Sequence, residues 1–157
     1  MERSARRLLV FSLASFAAVV VFASALGPLQ RALEGTDAAR AVSSFHTHFD
    51  QLCWLGSAAL GAALLLLARS YAGPAWAPRL LAGSYTAGAL IFSGAHAVKA
   101  AGLRLGWSGA TRIVFPALAS IGGVTLLVAA AAAATIAWSL VRAPAPGREA
   151  RGSLGAE

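Results

Sequence analysis

Four long apolar stretches, separated by short polar segments, constrain this chain more than any other feature. They cover about residues 8–26, 45–68, 80–101 and 112–142. A stretch of about 20 apolar residues is long enough to cross the hydrocarbon core of a bilayer as a helix. Only helices and closed barrels satisfy their backbone hydrogen bonds in lipid. The sequence therefore predicts an all-α fold, a four-helix transmembrane bundle that forms one membrane domain over residues 1–142.

Composition excludes the main alternatives. Hydrophobic residues make up 58% of the 157 residues and charged residues only 12%, which is too apolar for an ordinary soluble domain. The net charge of +7 comes from basic residues at the ends of the apolar stretches, not from a basic stripe. We therefore expect no nucleic-acid partner, and membrane lipid as the partner of these charges. The single cysteine, Cys53, excludes an intrachain disulfide.

The segments between the stretches are read as connections. We expect a loop with at most one amphipathic turn over Gly27–Ser43, after which Ser43 or Ser44 caps the next helix. Shorter turns are predicted near Pro74 and over residues 102–111. Residues 143–157, rich in proline and mixed charge, are predicted to form a disordered cytoplasmic tail.

Basic residues also predict the orientation. Those at the end that carries both termini are Arg3, Arg6, Arg7, Arg69, Arg79, Arg142, Arg148 and Arg151, and those at the other end are Arg31, Arg40, Lys99, Arg104 and Arg112. The excess favours a multi-pass protein, in a bacterial inner membrane, with both termini cytoplasmic. Ala23-Ser24-Ala25 resembles a signal-peptidase site, but the preceding apolar stretch is long for a cleaved signal. We expect the first span to be retained.

Small residues four apart predict close helix packing. The pairs are Ser57/Gly61, Ser84/Gly88 and Ala119/Gly123. Such pairs let membrane helices approach closely. We expect them to lie within the bundle, with oligomerisation through the same faces as the alternative.

A polar cluster opens the second span and is the candidate site. Polar and ionisable groups are costly in a membrane, so His46, His48 and Asp50 at this position form a functional-site hypothesis. The second and third spans are antiparallel, so His96, near the end of the third, falls on the same side of the membrane. Residues two apart lie on nearly opposite helix faces, so only one of His46 and His48 should point into the bundle.

Three histidines on one side of the membrane suggest ligation of a metal or of haem. Zinc or copper bound by His46, His48 and His96 is one option, although an HxH pair cannot chelate from one face of a regular helix. One axial histidine to haem needs no chelation. Asp50 could hold an imidazole tautomer through a hydrogen bond, and Cys53 is interpreted as a small buried hydrophobe.

The size, the four spans, His46-Thr47-His48 at the start of the second span and Arg79-Leu80-Leu81-Ala82-Gly83-Ser84 opening the third resemble the styrene oxide isomerase family. The resemblance implies a trimer that binds haem b through one histidine at the head of the second span. Ferric iron would act as a Lewis acid on an epoxide and yield a carbonyl compound. The resemblance makes His48 the first choice of haem ligand and His46 the second.

The chain departs from this family in the residues that would position the substrate. The family has an asparagine soon after its histidine, and this sequence contains none. The family also has a tyrosine near the haem, whereas Tyr85 lies toward the other end of its span. The resemblance therefore assigns no substrate-positioning residue. Asp50 and Ser93, as nearby acidic and hydroxyl groups, are the catalytic residues that we expect to orient the oxygen of a hydrophobic small-molecule substrate. The alternatives are a non-catalytic haem, metal or electron-transfer subunit, with His96 as a second ligand, and a cofactor-free accessory bundle.

Overall fold

The structure is a computed structural model that describes residues 1–142, and over this range it contains helices and no strand. The predicted disordered tail, residues 143–157, lies outside the described residues. The elements are α1 (Glu2–Ala32), α2 (Asp37–His48), a π-helical segment (Phe49–Gly56), α3 (Ser57–Leu67), α4 (Trp76–Leu105), a short π-helical segment (Ala110–Val114) and α5 (Phe115–Arg142). Because α2, the first π-helical segment and α3 are continuous, they form one rod, as do residues 110–142. The predicted all-α four-helix bundle is confirmed.

The predicted loop over Gly27–Ser43 is wrong. Helix α1 continues through Pro28 to Ala32, and α2 already begins at Asp37. Thr36 caps α2 by accepting a hydrogen bond from the Ala39 amide at 3.3 Å, so neither Ser43 nor Ser44 is the cap. The loop was predicted from the polar residues of this segment, which lie on the outer face of the helices. The inner face is an apolar stripe buried against α4: Leu33, Ala38, Ala41 and Val42, which pack with Ala100.

Two glycines close the tight turns of the bundle. Gly35 and Gly106 have φ angles of 76° and 68°, in the left-handed region that glycine adopts without steric cost. Gly106 follows the last residue of α4, and the Trp107 amide donates to the Gly102 carbonyl at 2.8 Å. This is the usual geometry of a helix ending in glycine, and it turns the chain directly into the fourth rod.

Helix α4 is the centre of the bundle. It packs along α5 and α2 and also contacts α1, while α1 packs on α3. One apolar cluster closes the end that carries the chain start and includes Leu8, Leu64, Leu81 and Ile136. The cluster around Val42 and Ala100 closes the other end. Between the two lies a belt of small buried side chains: Ser12, Ser15, Cys53, Ser57 and Ser93.

Small residues bring helices together, as predicted, but not at every predicted pair. A Cβ atom added at Gly88 would lie 2.9 Å from the Leu126 side chain, and one added at Gly122 would lie 2.7 Å from the Phe92 amide nitrogen. Gly123, which was predicted to face a neighbouring helix, has no atom within 4 Å of such a Cβ. The close seam between α4 and α5 therefore runs through Gly88 and Gly122.

Three helical stretches are long and apolar enough to cross a membrane: Glu2–Leu26, Asp37–Leu67 and Ala110–Arg142. Helix α4, which contains the predicted span 80–101, is similar in length but is not among these three, and its polar residues include Ser84, Tyr85, Ser93 and His96. Many of its residues are buried by the other rods. The helix outside this group of three thus occupies the position most shielded by protein.

Candidate histidine site

The structure brings His48 and His96 into direct contact. Their ring centroids are 4.3 Å apart and the ring planes differ by 17°, so the two imidazoles are stacked. His48 is the last residue of α2, and His96 lies in the second half of α4. The antiparallel arrangement of these two helices therefore places both rings at one depth, as the sequence indicated.

Each imidazole is anchored by its own helix. Nδ1 of His48 lies 2.7 Å from the Ser44 carbonyl oxygen, and Nδ1 of His96 lies 3.1 Å from that of Phe92. A carbonyl oxygen can only accept, so each Nδ1 carries the proton and donates it. In the neutral rings, Nε2 therefore keeps its lone pair. This is the tautomer that a histidine needs to ligate a metal through Nε2.

Aromatic side chains surround the stacked pair. The Phe92 ring lies 5.3 Å from His48 and 5.4 Å from His96. Phe115, at the start of α5, meets His96 edge-on at 5.2 Å. The Lys99 ammonium lies 4.8 Å from the centre of the same Phe115 ring. The imidazoles thus lie among apolar rings, with one cation held at the edge.

His46 is directed away from the pair. Its ring lies 5.7 Å from that of Phe22 on α1, which also contacts Phe45 edge-on at 5.2 Å. This follows from the spacing of two residues, which places His46 and His48 on different helix faces. The three histidines therefore do not converge. Within residues 1–142, no group of three or more His, Cys, Asp or Glu side chains is arranged to hold a metal ion.

Asp50 does not orient either imidazole, because both Nδ1 atoms donate to backbone carbonyls. Its Oδ1 atom is buried and has no hydrogen-bond partner within the protein. A buried carboxylate oxygen without a partner costs free energy. Asp50 thus keeps an unused acceptor in the segment that directly follows His48.

Ser93 lies in the buried belt. It is fully buried, and its hydroxyl lies 3.9 Å from the Cys53 sulfur. Cys53 is equally buried, in agreement with its interpretation as a small hydrophobe. A substrate oxygen could reach Ser93 only if the helices moved apart.

The π-helical segment Phe49–Gly56 is the feature of the site that sequence reasoning missed. Its wider turns leave carbonyls available to side-chain hydroxyls. Tyr85 of α4 donates to the Leu52 carbonyl at 2.9 Å, and Ser12 of α1 donates to the Trp54 carbonyl at 3.1 Å. Ser57 also donates to the Trp54 carbonyl, at 3.0 Å. π-Helical turns are rare and occur frequently at functional sites.

Gly56 lets Tyr85 reach this segment. A Cβ atom at position 56 would overlap the Tyr85 hydroxyl. The glycine, the tyrosine and the serines are each visible in the sequence, but no local pattern indicates that they meet. The sequence feature that could have indicated this contact is the grouping of hydroxyl residues at matching depths on three rods.

No protein-family model, curated protein or solved structure matches this chain.

The geometry of the pair distinguishes between modes of haem ligation. A haem held by two histidines would need one imidazole on each side of the macrocycle. The faces of His48 and His96 stack directly on each other, which leaves no space for a porphyrin between them. A single axial bond from one Nε2 does fit the anchored tautomer.

Proposed function

We propose that this is an integral membrane protein whose four rods all cross a bacterial inner membrane, with both termini cytoplasmic. Three rods support this by their length and apolarity. The fourth, α4, packs against the other rods through ten buried residues, among them Ser93. The excess of basic residues at the end that carries the chain start supports the orientation.

We infer further that the chain holds haem b through Nε2 of His48. The observation that carries this proposal is the anchored His48 ring, whose Nδ1 donates to the Ser44 carbonyl and leaves Nε2 as an acceptor. His46 is the second choice, because it packs against Phe22 instead of another imidazole. His96 supports His48 by stacking and is not a second axial ligand.

The reaction that we propose is isomerisation of a hydrophobic epoxide to a carbonyl compound. When bound, ferric haem would supply a Lewis acid for the epoxide oxygen. The chain contributes an imidazole anchored by its own helix and two apolar rings, Phe92 and Phe115, that suit a hydrophobic substrate. Nε2 of His96 is a hydrogen-bonding group beside the site, and Asp50 is the carboxylate nearest in sequence. Assembly as a trimer is part of the same proposal.

The test is an absorption spectrum of the detergent-purified protein from haem-replete cells. We expect a Soret band in the wild type and its loss in His48→Ala. His46→Ala is the matched control and should retain the band, because its ring points to α1. A haem-free wild type, or a band that survives in His48→Ala and disappears in His46→Ala, would contradict the assignment.

A further inference from the structure

A basic cleft lies at the opposite end of the bundle from the histidines. It has a volume of about 410 Å³ and is lined by Met1, Arg3, Ser4, Arg7, Ala75 and Arg79. Arg3 and Arg7 are one turn apart on α1 and so share a face. Arg79 comes from the first turn of α4. Two helices that are distant in sequence therefore place three arginines around one space.

Within residues 1–142, no acidic side chain forms an ion pair with these arginines. The ion pair in the described part of the chain joins Arg40 to Asp37, at the other end of the bundle. Glu2 is the acidic residue closest in sequence, and it is exposed and makes no ion pair there. Cations near a helix N-terminus also oppose the helix dipole. An anion in the cleft would remove this repulsion.

A second cleft continues from the first along α1. Its volume is about 400 Å³, and it is lined by Arg3, Arg6 and Arg7 at one end and by Val10, Phe11 and Ala14 beyond them. Arg3 and Arg7 line both clefts. A cationic space is thus continuous with an apolar one that runs along the exposed face of α1, where Val10 is 66% exposed.

We propose that the two clefts together bind one anionic phospholipid, with the phosphate between Arg7 and Arg79 and an acyl chain along Val10 and Phe11. Arginine binds phosphate oxygens through two parallel N–H donors, which a diffuse surface charge does not do. Free phosphate shares the headgroup chemistry, but it would leave the apolar cleft unused. The site is independent of the histidine pair and of the haem proposal.

Thermal unfolding of the full-length protein in neutral detergent tests this site, because a ligand that binds the folded state raises the melting temperature. The probes are dioctanoyl phosphatidylglycerol, dioctanoyl phosphatidylcholine and inorganic phosphate. We expect a saturable rise with phosphatidylglycerol only. Arg7→Gln combined with Arg79→Gln should weaken its apparent Kd at least tenfold.

The matched control is Arg69→Gln combined with Arg142→Gln, which removes the same charge at the same end of the bundle but outside both clefts. It should change the apparent Kd less than twofold. Arg7→Lys with Arg79→Lys keeps the charge, so it provides a variant should the glutamine pair fail to fold, and it should weaken binding severalfold. Phe11→Ser should weaken binding of the lipid without creating binding of inorganic phosphate.

Three results would overturn the proposal. Equal weakening by both glutamine pairs would show a general attraction of basic residues to anionic lipid. Equal melting-temperature rises with inorganic phosphate and phosphatidylglycerol would assign the cleft to free phosphate. The absence of any rise with phosphatidylglycerol would show that the cleft does not hold the lipid.

Discussion

At the scale of single residues, the site depends on which backbone group each polar side chain reaches. His48 and His96 both donate from Nδ1 to a carbonyl one turn earlier, so the helices themselves select the tautomer. The spacing of His46 and His48 predicted that one ring would point into the bundle, but it could not choose between them. The choice depends on α4, which supplies His96 as a partner to His48 and not to His46.

Gly56 provides a test at this scale. Gly56→Ala should destabilise the protein by about 1–3 kcal/mol, the usual cost of overpacking, because the new methyl group overlaps the Tyr85 hydroxyl. Tyr85→Phe removes that hydroxyl together with its hydrogen bond to Leu52. The double variant should therefore lose less stability than the sum of the two single variants. Unfolding in SDS, followed by circular dichroism, measures all three, and strict additivity would show that the two residues do not meet.

At the scale of elements, the sequence predicted the helices well and their boundaries poorly. The loop expected over Gly27–Ser43 is mostly helix, because Leu33, Ala38 and Val42 form a stripe that gains stability only by packing against α4. The π-helical segment could not be predicted either, because it also depends on contacts with other rods. Its carbonyls are satisfied by Ser12 and Tyr85, which come from other rods.

The seam between α4 and α5 gives a second test, with two adjacent glycines as variant and control. Gly122→Ala should destabilise the bundle by roughly 1–3 kcal/mol, because its methyl group would lie 2.7 Å from the Phe92 amide nitrogen. Gly123→Ala faces open space and should change stability by no more than about 0.5 kcal/mol. Unfolding in SDS compares the two. Equal effects would contradict the register of this seam.

At the scale of the whole molecule, hydropathy established four helical rods and their antiparallel order, which was enough to place all three histidine positions near one end. It did not establish that α4 is central. That follows from its many buried positions and its contacts with α1, α2 and α5. The bundle has a polar or charged site at each end, the histidine pair at one and the arginine clefts at the other. A belt of small buried side chains lies between them.

The central claim, that His48 alone ligates haem while His96 stacks beside it, is tested most directly by the electron paramagnetic resonance spectrum of the purified ferric protein. The stacked rings cannot occupy opposite faces of one haem, so the account predicts a high-spin signal from iron with one protein ligand. His96→Phe, which preserves the ring stack, should leave that signal high-spin. A low-spin signal from two histidine ligands, lost in His96→Phe, would contradict the account, as would a purified protein without a haem signal.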